Sequence, residues 1–453
     1  MNSAHGHAAV PTADPTAPRL RRHLRSRSSA RRSTPWRLGV AVLLGATFAT
    51  ATVAGVAGAS NRHRQSVTTI TIWNDPLAAG SVGVPASKSF LTKGVELFEK
   101  QNPDIKVNIV QEAFAASTSF ETLLRSSEVA GTTPDIGQLY VGGQVIQNAP
   151  YLVALNSYLP KSFVSSLYDG WQFVTGGYKA GGPIYAVPYG SGYWYVVYYN
   201  KKDFAKAGIK GPFPTTWAGL VALAEKLKAH GITPFEFGEK EGYFGAWTED
   251  ALISGLVGDQ GVLNFFSGKS SLDSATLEDA YAAWHELYGD GLTNSDAPSL
   301  TYTSGVAEYA AGKAAMTITG EYYDSQITAG LGDNVGLFPV PTLPGSKYPH
   351  VLSGGPNNSY VIFKTSKHIA DDVKLLEFLA SPEVQELGVN ELGQLPNNSS
   401  FKVTPAFAKA QPLLADVYKY IEVDHYTLAE AFDNIMPGSI CSYWYQTNNA
   451  VFG

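Results

Sequence analysis

The chain of 453 residues is 44% hydrophobic and 16% charged, and it contains one cysteine. These values exclude a disordered chain, a collagen and a disulfide-held scaffold, and the length suits two or three domains. The net charge of −6 is unevenly distributed, because residues 1–37 hold eight of the 33 basic and one of the 39 acidic side chains. The remaining 25 basic and 38 acidic side chains give the rest of the chain a net charge of −13.

The first predicted element is an export signal within residues 1–64. Its eight arginines precede the uncharged run Leu38 to Ala59, which ends in small residues, and this order is typical of a secretory signal peptide. An uncleaved signal anchor is the alternative, since about 20 apolar residues can span a bilayer. An arginine-rich nucleic-acid-binding arm would not need the apolar run, so no nucleic-acid partner is predicted. The leader lacks cysteine, which excludes a lipoprotein and predicts an exported protein that is secreted or exposed at the cell surface.

Beyond the leader, short strands alternate with amphipathic helices, which predicts α/β architecture. Thr68 to Trp73 alternates polar and apolar residues as a strand does, and Ile105 to Val110 forms a second strand. The segment between them has helical spacing from Phe90 onward and is expected to stop at Asn102-Pro103. A strand, a helix and a strand in this order predict a parallel pair with a right-handed crossover.

Later helices carry clear end signals. In the segment Thr215 to Gly231, Thr216 is placed to cap the start and Gly231 to close the end of a helix. Another helix is predicted from Ala370 to Leu379, and Ser381-Pro382-Glu383 opens the next. No long Pro/Ser-rich linker divides the chain, which favours two interwoven lobes between which the chain crosses more than once.

The sequence lacks the motifs expected of several enzyme classes. It contains neither an H-E-x-x-H zinc motif nor a G-x-S-x-G nucleophile elbow, and its histidines are scattered, so no metal and no cofactor are predicted. A pair of carboxylates for glycoside hydrolysis needs proximity only in space, which keeps a glycosidase as an alternative. The candidate acids are Glu112, Glu249, Asp250 and Glu321.

Aromatic residues are abundant, with 25 Tyr, 21 Phe and 8 Trp. Several follow predicted strands at turn-like positions, where a role in the core is less automatic than elsewhere. Flat aromatic faces stack on the C–H faces of sugar rings, and neighbouring polar groups satisfy the hydroxyls. The candidate platforms are Trp73, Tyr140, Tyr193, Trp194, Tyr243, Trp247, Tyr322 and Tyr323.

The segment Ile184 to Phe235 resembles the extracellular solute-binding proteins (family 1, maltose-binding-protein-like) of carbohydrate ABC importers. It carries a Tyr-Asn-Lys turn at 199–201 and a Pro-x-Thr-Trp helix start at 214–217. Further segments agree in the family's order: Ile70 to Asn74, Phe98 to Val107, Thr133 to Tyr140, the Gly-Lys-Ala-Ala-Met run into Gly320-Glu321-Tyr322, and Leu352 to Gln385. Together they cover nearly everything after residue 65.

The resemblance implies a two-lobed, type II periplasmic-binding-protein-like α/β fold with hinge strands between the lobes. We expect residues 65–192 plus 356–405 to form the N-terminal lobe and residues 193–355 plus 406–453 the C-terminal lobe. The hinge segments are expected near Tyr189 to Val197 and Leu352 to Pro356.

The resemblance also implies a ligand site in the cleft between the lobes. The matching positions are Trp73, Asn74, Asp75, Tyr140, Tyr193, Tyr243, Trp247, Glu321, Tyr322, Gly354, Gly355 and Asn357. Family members often carry Trp where this chain has Tyr322, which offers a smaller platform with a hydroxyl group. Many relatives also have a lipid-anchoring cysteine that this leader lacks.

The predicted function is therefore non-enzymatic: a monomer that captures a mono- or oligosaccharide by lobe closure and delivers it to the membrane permease of an ABC importer. One alternative is a different small solute on the same fold, such as a polyamine, a peptide or a phosphate ester. An extracytoplasmic glycosidase that depends on Glu321 or Asp75 is the other.

Overall fold

The computed structural model describes residues 67–74, 88–111, 117–167, 171, 175–177, 181–271, 274–392 and 395–450. The predicted export signal, Glu112 and Asp75 lie outside these residues. All described residues belong to one compact unit of the chain. Among them, no helix combines the length and the apolar character needed to cross a membrane.

A five-stranded sheet organises the first lobe, in the order β2-β1-β3-β10-β4. Strand β1 runs parallel to β2 and β3, as the strand–helix–strand pattern predicts, whereas β10 is antiparallel to β3 and β4. The strands are β1 (Thr68–Asn74), β2 (Ile105–Gln111), β3 (Ile136–Tyr140), β4 (Ala186–Pro188) and β10 (Asn358–Ile362). Because β10 comes from much later in the chain, the lobe is completed by a segment that returns from elsewhere.

Helices cover the first sheet, and the best-predicted of them is α1 (Phe90–Gln101). The Ser89 hydroxyl accepts a hydrogen bond from the Thr92 amide at its start, and Asn102 ends it. Its apolar face buries Phe90 and Phe98 in the core of the lobe. The other helices are α2 (Ser117–Ala130), α3 (Gly143–Asn148), α4 (Lys161–Val164), α11 (Ile369–Leu379) and α12 (Pro382–Leu392).

The second lobe is built on a three-stranded antiparallel sheet in the order β7-β6-β8. These strands are β6 (Val196–Asn200), β7 (Met316–Thr319) and β8 (Val335–Pro339). Its helices are α5 (Lys201–Lys206), α6 (Trp217–Ala229), α7 (Tyr243–Phe266), α8 (Ser274–Gly289), α9 (Tyr302–Ala310), α10 (Asp324–Leu331), α13 (Pro405–Ala410), α14 (Pro412–Glu422), α15 (Phe432–Ile435) and α16 (Gly438–Ala450).

The sequence predicts the start of α6 but not the backbone break inside α7. Helix α6 has the predicted Thr216 cap, and it buries Trp217 and Leu227. Helix α7 is preceded by Gly242, which has a left-handed φ of 81°. A second positive-φ glycine, Gly258, interrupts α7 with non-helical backbone, and no sequence pattern predicts that break.

A small sheet joins the two lobes. It consists of β5 (Ser191–Tyr193), β9 (Val351–Pro356) and β11 (Thr427–Ala429), in the order β11-β9-β5. Strands β5 and β9 lie in the two predicted hinge segments and pair antiparallel. The chain thus passes between the lobes at adjacent strands.

Candidate ligand-binding site

A stack of three aromatic rings forms the second lobe's wall beside the crossing strands. The indole ring of Trp247 lies between Tyr195 and Tyr243, with ring centroids 5.3 and 5.0 Å away and interplanar angles of 14° and 8°. Trp247 is 9% exposed. In this conformation protein rings cover both of its faces, so neither face is available to a ligand.

Edge-on rings surround this stack. Tyr302 meets Trp247 at 82° and Tyr445 meets Tyr243 at 86°. Tyr322 meets Trp247 at 70° and leaves 37% of its own surface exposed. Edge-to-face contacts hold rings in fixed orientations. We therefore define the aromatic wall as Tyr195, Trp247, Tyr243, Tyr302, Tyr322 and Tyr445, with Tyr322 as its most accessible platform.

One carboxylate connects three members of the wall. Asp433 Oδ2 accepts hydrogen bonds from Trp247 Nε1 at 2.9 Å, the Tyr445 hydroxyl at 3.1 Å and the Tyr195 hydroxyl at 3.3 Å. Burial raises the pKa of Asp433, and the three donors partly oppose that rise. Tyr195 has a left-handed φ of 59°, which is rare outside glycine, and such backbone is found preferentially at functional sites.

Two further acids lie where β5 leads into the second lobe. Glu321 Oε1 accepts a hydrogen bond from Trp194 Nε1 at 3.2 Å, and Glu321 Oε2 is buried without a hydrogen-bond partner among the described residues. Asp324 accepts hydrogen bonds from the Tyr193 and Tyr198 hydroxyls, both at 2.6 Å. Burial raises the pKa of Asp324 to about 7 even with these two donors, and it raises that of Glu321 well above its usual range.

The first lobe contributes amides at the carboxyl end of β1 and at the start of β10. Asn74 and Asn357 are buried, and their Oδ1 atoms accept no hydrogen bond from the described residues. Gln138 Nε2 donates to Asn358 Oδ1 at 2.9 Å beside them. Trp73 packs partly buried against the small core cluster of this lobe. An acceptor without a protein partner suits a ligand that donates hydrogen bonds.

Glycines in β9 permit close approach at the crossing. A Cβ on Gly354 would lie 2.5 Å from the Gly192 carbonyl oxygen of β5. Gly355 has φ of 123°, and a Cβ there would lie 2.6 Å from Glu430 Oε1. Any larger residue at either position would push the crossing strands or the Glu430 side chain aside.

The structure divides those sequence-predicted site residues that it describes into four groups. Tyr243, Trp247 and Tyr322 belong to the aromatic wall, and Glu321, Gly354, Gly355 and Asn357 lie at or beside the crossing. Trp73, Asn74 and Tyr140 lie at the ends of first-lobe strands. Tyr193 is fully buried against Asp324, so in this conformation it has no surface to offer a ligand. The roles of all these residues in binding stay predictions.

Sequence reasoning missed Tyr195, Tyr302, Tyr445 and Asp433. Tyr195 follows Tyr193 and Trp194 directly, so the aromatic run itself could have indicated it. Asp433 and Tyr445 lie near the end of the chain, far in sequence from the rings that they contact, and no local pattern indicates them.

The charge of the buried residues is one-sided. Among the described residues nine carboxylates are buried, whereas no Lys, Arg or His is. They are Glu128, Glu236, Glu239, Glu249, Asp250, Glu321, Asp324, Asp372 and Glu430. Burial without a basic partner favours the neutral, protonated form of a carboxyl group. Within the same part of the chain, no group of three or more His, Cys, Asp or Glu is arranged to hold a metal ion.

Several known proteins are similar to this chain. An uncharacterized ABC transporter extracellular-binding protein of Pyrococcus horikoshii is 25% identical over 323 residues, which cover 68% of each chain. The multiple sugar-binding protein of Streptococcus mutans is 24% identical over 307 residues, or 65% of this chain and 69% of its own. The structure of a chitin oligosaccharide binding protein matches with a TM-score of 0.71 at 22% identity, over 86% of this chain and 94% of that one.

These likenesses confirm the two-lobed α/β fold predicted from the sequence. Residues 83–386, about two thirds of the chain, match the family of bacterial extracellular solute-binding proteins. The members of this family are binding proteins and not enzymes. The resemblance seen in the ordered motifs is therefore confirmed, and the chain is a member of the bacterial extracellular solute-binding protein family.

Proposed function

We propose that this protein captures a mono- or oligosaccharide between its lobes and delivers it to the permease of an ABC importer. The observation that carries the proposal is the aromatic wall beside the crossing strands, with Asp433 fixing three of its members and Tyr322 exposed. The relatives named for multiple sugars and for chitin oligosaccharides support the same ligand class.

The side chains that the two lobes offer suit a sugar ligand. Stacking a sugar ring on Tyr322 covers about 50 Å² of apolar surface, worth roughly 1 kcal/mol. The free acceptors of Asn74 and Asn357 on the first lobe can receive hydroxyl protons. Because the platform and the acceptors belong to different lobes, a sugar that contacts both binds the closed arrangement better and shifts the population toward it.

A thermal-shift panel tests the proposal. Maltose, raffinose, xylo-oligosaccharides and N-acetylchito-oligosaccharides are added at rising concentration, and an unrelated protein controls for general stabilisation by sugars. A ligand of the native state raises the melting temperature as its concentration passes Kd. If none of these sugars at millimolar concentration stabilises the protein beyond the control, the carbohydrate proposal is wrong.

A cationic solute is the second candidate, and the net charge of −13 outside residues 1–37 favours it. Binding of a polyamine would weaken as salt screens the charges, whereas binding of a neutral sugar would hardly change. Titration of spermidine and of the best sugar in 20 mM and 500 mM NaCl separates the two. The same net negative charge disfavours phosphate esters and sugar acids as ligands.

We further infer that the protein does not turn its ligand over. A glycosidase would need two carboxylates set for acid and nucleophile or base roles, such as Glu321 with a partner acid. Mass spectrometry of the bound sugar after prolonged incubation checks this point. If the wild type releases a shortened sugar and the Glu321→Gln variant does not, the protein is a glycosidase instead.

The proposal extends to the export, the oligomeric state and the lobe boundaries of the protein. The protein is exported, its leader is a signal peptide or a membrane anchor without lipid modification, and it acts as a monomer. Its N-terminal lobe is 65–192 plus 356–405, and its C-terminal lobe 193–355 plus 406–453. N-terminal sequencing of the exported protein distinguishes a cleaved leader from a retained one.

A further inference from the structure

We propose that the segment Ala431–Met436, which contains helix α15 and is here named the coupling turn, links sugar binding at the aromatic wall to the contact between the lobes. Asp433 is its positioning residue. This inference rests on the proposed function, since the wall is the proposed sugar platform. Three sets of contacts carry it.

The first set joins the coupling turn to the wall. The three donors to Asp433 Oδ2 come from different parts of the second lobe: Trp247 from α7, Tyr445 from α16 and Tyr195 from the segment between β5 and β6. Hydrogen bonds to a carboxylate are about twice as strong as neutral ones. Asp433 therefore fixes the rotation of three rings relative to one backbone segment.

The second set joins the coupling turn to the hinge. The Phe432 amide donates to Asp250 Oδ2 at 3.0 Å, and the Ser353 hydroxyl of β9 donates to the same oxygen at 3.1 Å. Asp250 is buried, and Ser254 also donates to it from the next turn of α7. The backbone next to Asp433 is thus tied through one buried carboxyl group to the crossing strand.

The third set joins the coupling turn to the first lobe. A Cβ on Gly142 would lie 2.6 Å from the Asn434 carbonyl oxygen, and one on Gly143 would lie 2.5 Å from the Met436 carbonyl oxygen. Such distances mean that the backbone of the first lobe rests directly on the turn. Gly143 is the first residue of α3, and Gly142 has a left-handed φ of 70°.

These contacts place one short segment between the ligand platform, the hinge and the opposite lobe. A sugar that changes the orientation of the wall rings changes the position of Asp433. Because Asn434 and Met436 lie within three residues of it, the surface on which Gly142 and Gly143 rest moves as well. Packed contacts of this kind switch between discrete arrangements instead of deforming smoothly.

The test uses Asp433→Asn in the full-length protein, with Asp372→Asn as its matched control. Asp372 is a buried first-lobe carboxyl group that accepts from the Ser366 hydroxyl and has no contact with the wall. Hydrogen exchange of the ligand-free protein is followed at the backbone amides of α3. We expect exchange there to rise about tenfold or more in Asp433→Asn and to stay at the wild-type rate in Asp372→Asn.

Sugar affinity is the second readout. The Kd for the best sugar should rise about tenfold in Asp433→Asn and about tenfold in Gly143→Ala. In the double variant the Kd should rise by less than the product of these two factors. If the wild type binds no sugar, the proposed function fails, while the exchange experiment still decides the coupling. Unchanged exchange at α3 in Asp433→Asn, or an equal rise in Asp372→Asn, would overturn the inference.

Discussion

At the scale of single residues, the aromatic side chains of the wall differ in how much of each ring is exposed. Trp247 is the largest ring in the wall, yet Tyr195 and Tyr243 cover its faces. Tyr322 is smaller and protrudes. The sequence could indicate both positions, because each matches a family motif. It could not indicate which ring is a platform and which is a support, because that depends on neighbours distant in sequence.

The first prediction concerns this platform. Tyr322→Ala should weaken binding of the best sugar about fivefold, because about 1 kcal/mol of stacking is lost. Isothermal titration calorimetry measures the change. Tyr348→Ala is the control, since Tyr348 is 45% exposed and lies against Gly258, in the distal part of α7. Equal losses in both variants would show that Tyr322 is not a platform.

At the scale of elements, the start of α7 shows how a backbone contact decides the packing of two helices. Gly242 precedes α7 with a left-handed φ, and a Cβ there would lie 1.8 Å from the Tyr445 carbonyl oxygen of α16. This close approach lets α16 bring Tyr445 to the wall and to Asp433.

Gly242→Ala should therefore lower the free energy of unfolding by about 3 kcal/mol or more, because left-handed backbone strain and a backbone clash add. Gly231→Ala isolates the first effect, since Gly231 also has a left-handed φ but no atom lies near its missing Cβ. That control variant should lower the free energy of unfolding by about 1 kcal/mol, the cost of a Cβ in left-handed backbone. Urea unfolding measures both variants, and similar losses would contradict the role assigned to the contact with α16.

The elements themselves were largely predictable. Helix α6 has its predicted Thr216 cap and α1 ends at the predicted Asn102, because capping and apolar spacing act within a few residues. The insertion of β10 between β3 and β4 was not predictable from any local pattern. Strand neighbours far apart in sequence are chosen by the packing of the whole lobe.

At the scale of the whole molecule, the buried carboxyl groups make stability depend on pH. Burial raises the pKa of Asp324, Asp372 and Glu249 to about 7, above their ordinary values near 4. Between pH 4 and 7 the folded protein therefore binds more protons than the unfolded chain. Stability then falls as pH rises, by about 1.4 kcal/mol per pH unit for each such proton.

We expect the free energy of unfolding to be greater at pH 5 than at pH 8. Urea unfolding at a series of pH values measures the slope. Asp372→Asn removes a carboxyl group that is protonated on folding. The slope of the free energy of unfolding against pH should therefore fall by up to about 1.4 kcal/mol per pH unit, the contribution of one proton. Stability that rises from pH 5 to pH 8 would show that these acids are ionised in the folded protein.

The sequence alone determined the family, the alternation of strands and helices, the charge of residues 38–453 and a shortlist of aromatic candidates. These properties depend on residue order and on contacts within a few positions. Only the tertiary structure decided that Trp247 is enclosed, that Asp433 joins three rings, and that glycines at 142 and 143 rest on the coupling turn. Such contacts join residues up to about 290 positions apart, and they exist only after the chain has crossed between the lobes and packed.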